Sequence, residues 1–275
     1  MKSFLKTKDF SVTGEPFELL YDAETDMLVT APRPKNLSKY YESDTYISHT
    51  DSRNTLTDKL YQTVKRYNIK KKIKLVTSID QDEKTLLDVG AGTGDFLLKA
   101  KMSGWQIAGV EPNAPARERA SQKGIELHSD LSEISNKQFD VITLWHVLEH
   151  LPDLDEQIQK LESLLKKEGR LVVAVPNFKS HDAEFYGTFW AAYDVPRHLW
   201  HFSKNAIQKL FAKQKMILVE TKPMIFDSFY VALLSEKYKT GKQNFLSAFW
   251  RGLISNISAW KSKEYSSHIY ILKKG

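Results

Sequence analysis

The stretch "LLDVGAGTGDFLLKA", residues 86–100, carries an apolar strand into three glycines and out into an amphipathic run. Few folds accept that order of events. The strand must end, the chain must turn at residues without side chains, and a helix must begin with its free amides facing whatever lies over the turn. Gly90 and Gly92 leave room for a ligand against the backbone, and Gly94 lets the helix start close to the strand. The spacing is G-x-G-x-G, one residue shorter than the G-x-G-x-x-G of dinucleotide sites.

Around this turn the hydrophobic pattern alternates. Strand-like runs at 85–89, "QIAGVEP", a short piece near 125–128, "FDVITLW" and "RLVVAVP" are separated by helical spacings. Those helices fall at about 95–103, at 114–123, and through "HVLEHLPDLDEQIQKLESLLKKEG", where Gly169 reads as the stop. Near-continuous apolar strands are buried on both faces, which predicts a parallel sheet covered by helices. "SKNAIQKLFAKQ" reads as a helix opened by Ser203, and "MILVETKP" and "HIYILKKG" supply two further β-rich runs. The expected fold is α/β: a Rossmann-like, doubly wound, mostly parallel sheet of seven strands with an antiparallel last strand. Leu56, Leu60, Val64 and Tyr67 at helical spacing place a helix ahead of it. Residues 1–52 read as an irregular or hairpin-like appendage and 53–275 as the main domain, with 225–260 a helical insertion.

Composition narrows the function. With 41% apolar and 27% charged residues, the chain of 275 residues has enough apolar material for a real core. It contains no cysteine, hence no disulfide framework and no thiolate zinc site. "MKSFLKTKDF" lacks the apolar region of an export signal, so cytoplasm is the expected compartment. The net charge of +6 comes from dispersed lysines, apart from "IKKKIK" at 69–74, which reads as a solvated helix end. No nucleic-acid-binding signature accompanies it, and nucleic acid is not expected as a partner. Mild basicity suits steering of an anionic substrate.

Carboxylates decide what the glycines hold. Glu111 ends the second strand, where a carboxylate meets the ribose hydroxyls of a ligand lying across the strand ends. An NAD-type dinucleotide and another adenosyl cofactor both fit that much. Asp88, inside the first strand's end, repels a diphosphate and suits a ligand with a cationic amine. Asp130 follows the third strand, and the fourth delivers Trp145 and His146 to the same edge.

"LLDVGAGTGDFL", "GVEPN", "SDLSEI", "FDVITLWHVLEHLPD" and "GRLVVAVPN" resemble the successive motifs of class I S-adenosylmethionine-dependent methyltransferases. "DVPRHLWHFS" further resembles a small-molecule subgroup that includes quinone-ring O-methyltransferases and sugar methyltransferases. The resemblance implies S-adenosyl-L-methionine as cofactor, with S-adenosyl-L-homocysteine as product. Asp88 would meet the methionine amine, and Gly90, Ala91, Gly92 and Gly94 the methionine moiety. Glu111 with Pro112 would hold the ribose, Asp130 and Leu131 would border adenine, and Trp145 and His146 would close the pocket. No metal is expected. The acceptor is a small molecule (sugar, quinol or lipid-linked), methylated at oxygen, and a base is then useful. His198 leads as candidate and His146 follows. Aromatic residues between 185 and 193 read as walls for a flat acceptor, and Arg197 as an anion ligand or a partner of Asp194. An NAD-dependent oxidoreductase and a catalytically silent adenosyl-binding module are the alternatives. The insertion at 225–260 reads as two amphipathic helices, packed as a lid or touching a membrane periphery or a second copy.

Overall fold

The computed structural model describes residues 1–41, 56–79, 83–134 and 137–275; the expected boundary between residues 52 and 53 lies outside them. Strands β1 (Lys2–Lys8), β2 (Pro16–Asp22) and β3 (Met27–Ala31) form an antiparallel meander. Its first turn is wrapped around the buried Asp9 carboxylate, which accepts from the amides of Ser11, Val12 and Thr13. Phe17 and Leu19 alternate inward from β2, the period expected of a sheet with one dry face.

Helix α1 (Leu56–Thr77) then leads into the main sheet. There β4 (Thr85–Val89), α2 (Asp95–Met102), β5 (Gln106–Val110), α3 (Ala114–Ser121), β6 (Phe139–Trp145), α4 (Leu154–Leu164) and β7 (Leu165–Pro176) follow in turn. After α5 (His181–Tyr186) and the short β8 (Trp200–His201) come α6 (Lys204–Lys213), β9 (Met216–Pro223), α7 (Asp227–Thr240), α8 (Phe245–Ser262) and β10 (Ser267–Lys274). The strand order is β5-β4-β6-β7-β10-β9, with the first four parallel and β10 antiparallel to both neighbours. Adjacent residues of each central strand face opposite layers. Leu86, Val141 and Val172 pack with α1 and α2, whereas Leu87, Ile142 and Val173 pack with α4 and α6. This is the doubly wound sheet expected from the unbroken apolar runs.

Two local expectations change. The run at 125–128 forms no strand of its own; the seventh position is a single bridge, His128 to Val110, closed by hydrogen bonds to Gly109 and Glu111. The helix after residue 150 ends at Leu164, because Leu165 is fully buried and pairs with Phe139, so Gly169 lies within β7 and stops no helix.

The meander is tied to the main domain. β8 pairs with β3, completing a four-stranded sheet of order β1-β2-β3-β8. Beneath it lies a second apolar core that includes Trp190 and Tyr193 together with Val231 of α7 and Ala248 of α8. The latch is ionic. Arg197, 1% exposed, donates to Asp9 (3.0 Å), to Asp194 (2.6 and 3.0 Å) and to the Tyr40 carbonyl (2.8 Å). Burial opposes ionisation of Asp9, but the Thr13 amide and the guanidinium outweigh it and hold this carboxyl below its ordinary value. Arg197→Met should therefore strand buried carboxylates and cost about 3–5 kcal/mol by urea denaturation at neutral pH. The difference from the native chain should shrink as pH falls, because protonating Asp9 removes the native advantage of a depressed carboxyl.

Candidate active site

Strand order reverses at β4, which has β5 on one side and β6 on the other, and a crevice opens beyond the carboxyl ends of such strands. Asp88 lies one residue from the end of β4, Gly90–Gly94 follow it, Glu111 and Pro112 follow β5, and Trp145 and His146 close β6. The topology thus brings these sequence-predicted residues to one edge. A depression of about 740 Å3 lined by Lys137, Lys160 and Lys166 opens at the other end, by the start of β6 and β7, remote from this chemistry.

The glycine loop is held by its own backbone. The amides of Gly90 and Ala91 both donate to the Val110 carbonyl, at 2.8 and 3.0 Å. Gly90 and Gly92 adopt φ of +72° and +54°, the left-handed region that favours glycine. A Cβ at Gly90 would meet Val147 at 2.3 Å, whereas one at Gly92 would meet nothing within 4 Å, so the loop is closed on one side and open on the other. The Glu111 carboxylate bridges this loop and the next helix. It accepts from the Gly92 amide at 2.8 Å and the Asn113 amide at 2.9 Å, while the Asn113 side chain caps α3. An amide that a phosphate would need is already given to a carboxylate. Asp95, first in α2, adds a further acid, paired with Lys65 and Lys123.

Asp88 is 2% exposed and accepts from Thr143 at 2.6 Å. Burial pushes its carboxyl up to about 7, against the pull of the Thr143 bond and the Lys72 ammonium, with Glu111 adding repulsion. Lys72 corrects the reading of 69–74 as a solvated helix end. It shares the inward face of α1 with Ile69, Ile73 and Val76, and its ammonium lies over the Trp145 ring, 4.4 Å from the centroid. Burial lowers it to about 8, while Asp88 and Asp227 hold it up. Trp145 meets Phe96 edge-on, and its buried indole N–H has no hydrogen-bond partner among the described residues.

His146 does not provide the free base expected of it. Nε2 pairs with Asp227 of α7 at 3.1 Å and Nδ1 with Glu149 at 3.4 Å. Burial alone would lower this imidazole, but the two carboxylates outweigh it and raise it to about 10, so it is an imidazolium at neutral pH. Asp227 and Lys72 are the site residues that the sequence reading missed. Lys72 was legible as a lysine on an apolar helix face; Asp227 lies on the insertion, with no local sign that it turns back to β6.

His198, the leading base candidate, lies one layer behind. Its Nδ1 bonds the Ala192 carbonyl at 2.9 Å, and its ring meets His150 edge-on at 4.6 Å. Burial and the neighbouring His198 press the His150 imidazole down to about 4. Glu149, 1% exposed, faces these two rings, and the three side chains bring one donor atom each within 4.8 Å of one another. A carboxylate and two imidazoles so placed can ligate a divalent cation. Through Glu149 this cluster touches His146, which is how His198 reaches the crevice.

Other candidates take structural work. Asp130 caps a short turn by accepting from the Ser132 amide and hydroxyl, and Leu131 beside it is buried. Tyr186, Trp190 and Tyr193 are buried in the second core because the meander and the C-terminal helices cover them. Their loop also contains α5, opened by Ser180, whose hydroxyl accepts from the Ala183 amide. Its Asp182, 1% exposed, accepts from the Trp190 indole and from the hydroxyls of Ser255 and Ser266. Arg197 is spent on Asp194 and Asp9.

Comparison with known proteins agrees with this geometry. An uncharacterized methyltransferase of Geobacillus kaustophilus is 31% identical over 117 residues, covering 40% of this chain and 54% of that protein. A ubiquinone biosynthesis O-methyltransferase of Rhodopseudomonas palustris is 24% identical over 161 residues, covering 52% and 62%. The chain thus spans little more than half the length of the curated relatives it matches. Among solved structures, the magnesium protoporphyrin IX methyltransferase of Synechocystis, described with bound SAH, superposes with a TM-score of 0.57 at 14% identity, covering 88% of this chain and 100% of that one. The sequence model of the family described as "Methyltransferase domain" matches residues 61–215, more than half of the chain, from α1 through the glycine loop to α6. The chain belongs to that family, and its sheet is the Rossmann-like sheet of the class I S-adenosylmethionine-dependent methyltransferases.

Proposed function

We propose that this protein transfers the methyl group of S-adenosylmethionine to the oxygen of a small-molecule acceptor. The observation that carries this reading is the pair of carboxylates at the strand ends, Asp88 buried and Glu111 held by two backbone amides. A nicotinamide dinucleotide would set its diphosphate against Asp88, Glu111 and Asp95 and would find the Gly92 amide taken. A cationic adenosyl ligand finds complementary charge.

The residues fit such a group. Trp145 offers an unpartnered buried N–H, the space beside Gly92 is open, and the only side-chain cation found stacked on Trp145 among the described residues is Lys72, so this ring face already receives positive charge. When bound, S-adenosylmethionine supplies a methyl already made electrophilic by its cationic sulfur. Glu111 would receive the ribose hydroxyls and Asp88 the amine, with Gly90, Ala91 and Gly92 presenting backbone. Leu131 and Asp130 would border adenine. The rest is positioning and exclusion of water.

His146 bears on the acceptor. As an imidazolium whose two N–H groups face Glu149 and Asp227, it has no lone pair with which to take an acceptor's proton. An acceptor with an acidic hydroxyl, a phenol or enol, ionises more readily by its own chemistry and makes fewer demands on a base than a sugar does. The relative named for ubiquinone biosynthesis is consistent with this preference.

S-adenosylmethionine or S-adenosylhomocysteine should raise the melting temperature of the chain while NAD leaves it unchanged. Glu111→Ala should weaken that binding by about ten- to a hundredfold; a stabilising response to NAD alone would overturn the reading. Asp88 adds a pH signature. Its carboxyl ionises at about 7, so below that pH the ligand's amine meets a neutral acid. Affinity for S-adenosylhomocysteine should fall as pH drops below about 7 and level off above it, and Asp88→Asn should flatten that slope. Isothermal titration at several pH values measures both.

A further inference from the structure

Helix α8 is built inside out. A surface helix ordinarily turns its apolar stripe toward the core and its polar face outward. Here the buried face consists of Ala248, Gly252, Ser255, Asn256 and Ala259. Its contacts are short and polar: Ser255 donates to Asp182 at 2.7 Å, and the Asn256 amide donates to the Ile225 carbonyl at 3.0 Å and to Ser228 at 2.9 Å. Gly252 lets the helix press against Phe229, where a Cβ would come within 2.7 Å of the ring. The outward face carries Leu246, Phe249, Trp250, Ile254, Ile257 and Trp260, with Leu246 71% and Trp260 66% exposed. Their spacing keeps them on one stripe of the helix. Bands of this kind rimmed by polar groups mark contact surfaces.

Charge decides what meets that stripe. Between residues 225 and 263 the acids are Asp227 and Glu236. Asp227 is paired with His146, and the buried Glu236 accepts from Tyr186 and Ser247. The cations are more exposed: Lys237, Lys242, Lys261 and Lys263 are exposed around the ends of the helix, and Lys239 and Arg251 both lie over the Phe185 ring. A two-fold contact with a second copy would lay this patch on itself and set cation against cation, with no exposed acid in the segment to compensate. A surface that is apolar within and anionic at its rim fits both features at once. No helix among the described residues is long and apolar enough to cross a membrane, so the fit is to lying along one.

We propose that α8 docks the protein on the surface of an anionic lipid bilayer, its aromatic stripe entering the boundary between headgroups and acyl chains and its lysines meeting the headgroup charge. Trp250 and Trp260 sit where interfacial tryptophans are favoured, and the long lysine side chains reach back to the phosphates. Because Asn256 of α8 bonds Ile225 and Ser228, which flank the crevice residue Asp227, the second half of the helix returns toward the candidate active site.

The test is flotation of the full chain with vesicles of phosphatidylcholine alone and of phosphatidylcholine mixed with phosphatidylglycerol. The chain should float with the anionic vesicles, several-fold less with the neutral ones, and less as salt is raised. Trp250→Ser combined with Trp260→Ser should weaken partitioning by about tenfold or more, with circular dichroism and melting temperature unchanged. In the unsubstituted chain, lipids brominated on their acyl chains should quench tryptophan fluorescence, and the double substitution should remove most of that quenching. Absence of flotation at low salt would overturn the proposal. So would flotation indifferent to the double substitution, or an unsubstituted dimer in sedimentation that the double substitution turns into a monomer. None of these readouts requires the methyl donor, so their failure and that of the methyl-transfer reading are separable.

Discussion

A carboxylate gripped by two backbone amides organises the candidate site. Glu111 reaches back across the end of β5 to Gly92 and forward to Asn113, joining the glycine loop after β4 to the start of α3. Such bonds to an ionised acceptor are among the stronger ones in a protein, and here they fix the shape of a loop whose glycines would otherwise be free. The same carboxylate fixes the sign of the crevice. With Asp88 buried near it and Asp227 paired to His146 at the end of β6, the edge of the sheet gathers acids although the chain as a whole is basic. Net charge describes the outer surface of this molecule, and the crevice has its own electrostatics.

Most of the sheet was legible because its strands obey one rule. The apolar runs from Thr85 to Val89 and from Phe139 to Trp145 needed nothing but burial on both faces, and both formed over the expected residues. The glycines and Glu111 were legible for a related reason, since a sharp turn with open backbone and an acid after the next strand are local in sequence. What failed was non-local. The run at 125–128 is too short to hold a ladder against β5, and one bridge remains. Leu165 left its helical neighbours because a place beside Phe139 buries it completely.

The loop from 177 to 201 misled for a different reason. Histidines and aromatic rings near a ligand-bearing edge suggest chemistry, yet composition does not say which way a ring points. The meander of residues 2–31 covers this loop from outside and turns Trp190 and Tyr193 into core. Histidine surroundings differ accordingly: His146 is paired with a partner 81 positions away in the chain, Asp227, and His198 is buried with its Nδ1 on the Ala192 carbonyl. Lys72 taught the converse lesson, since one lysine of a basic run turned inward where the helix offered it an aromatic face and two acids.

Asp182 has a mechanical consequence. One fully buried carboxylate receives the indole of Trp190, the hydroxyl of Ser255 on α8 and that of Ser266 at the threshold of β10. Swinging α8 outward like a hinged flap would strip one of three donors from an interior charge, a penalty far larger than thermal energy. The helix therefore behaves as a rigid keel rather than a door. Whatever it rests on sets the tilt of the entire sheet, and with it the angle at which the crevice meets its surroundings.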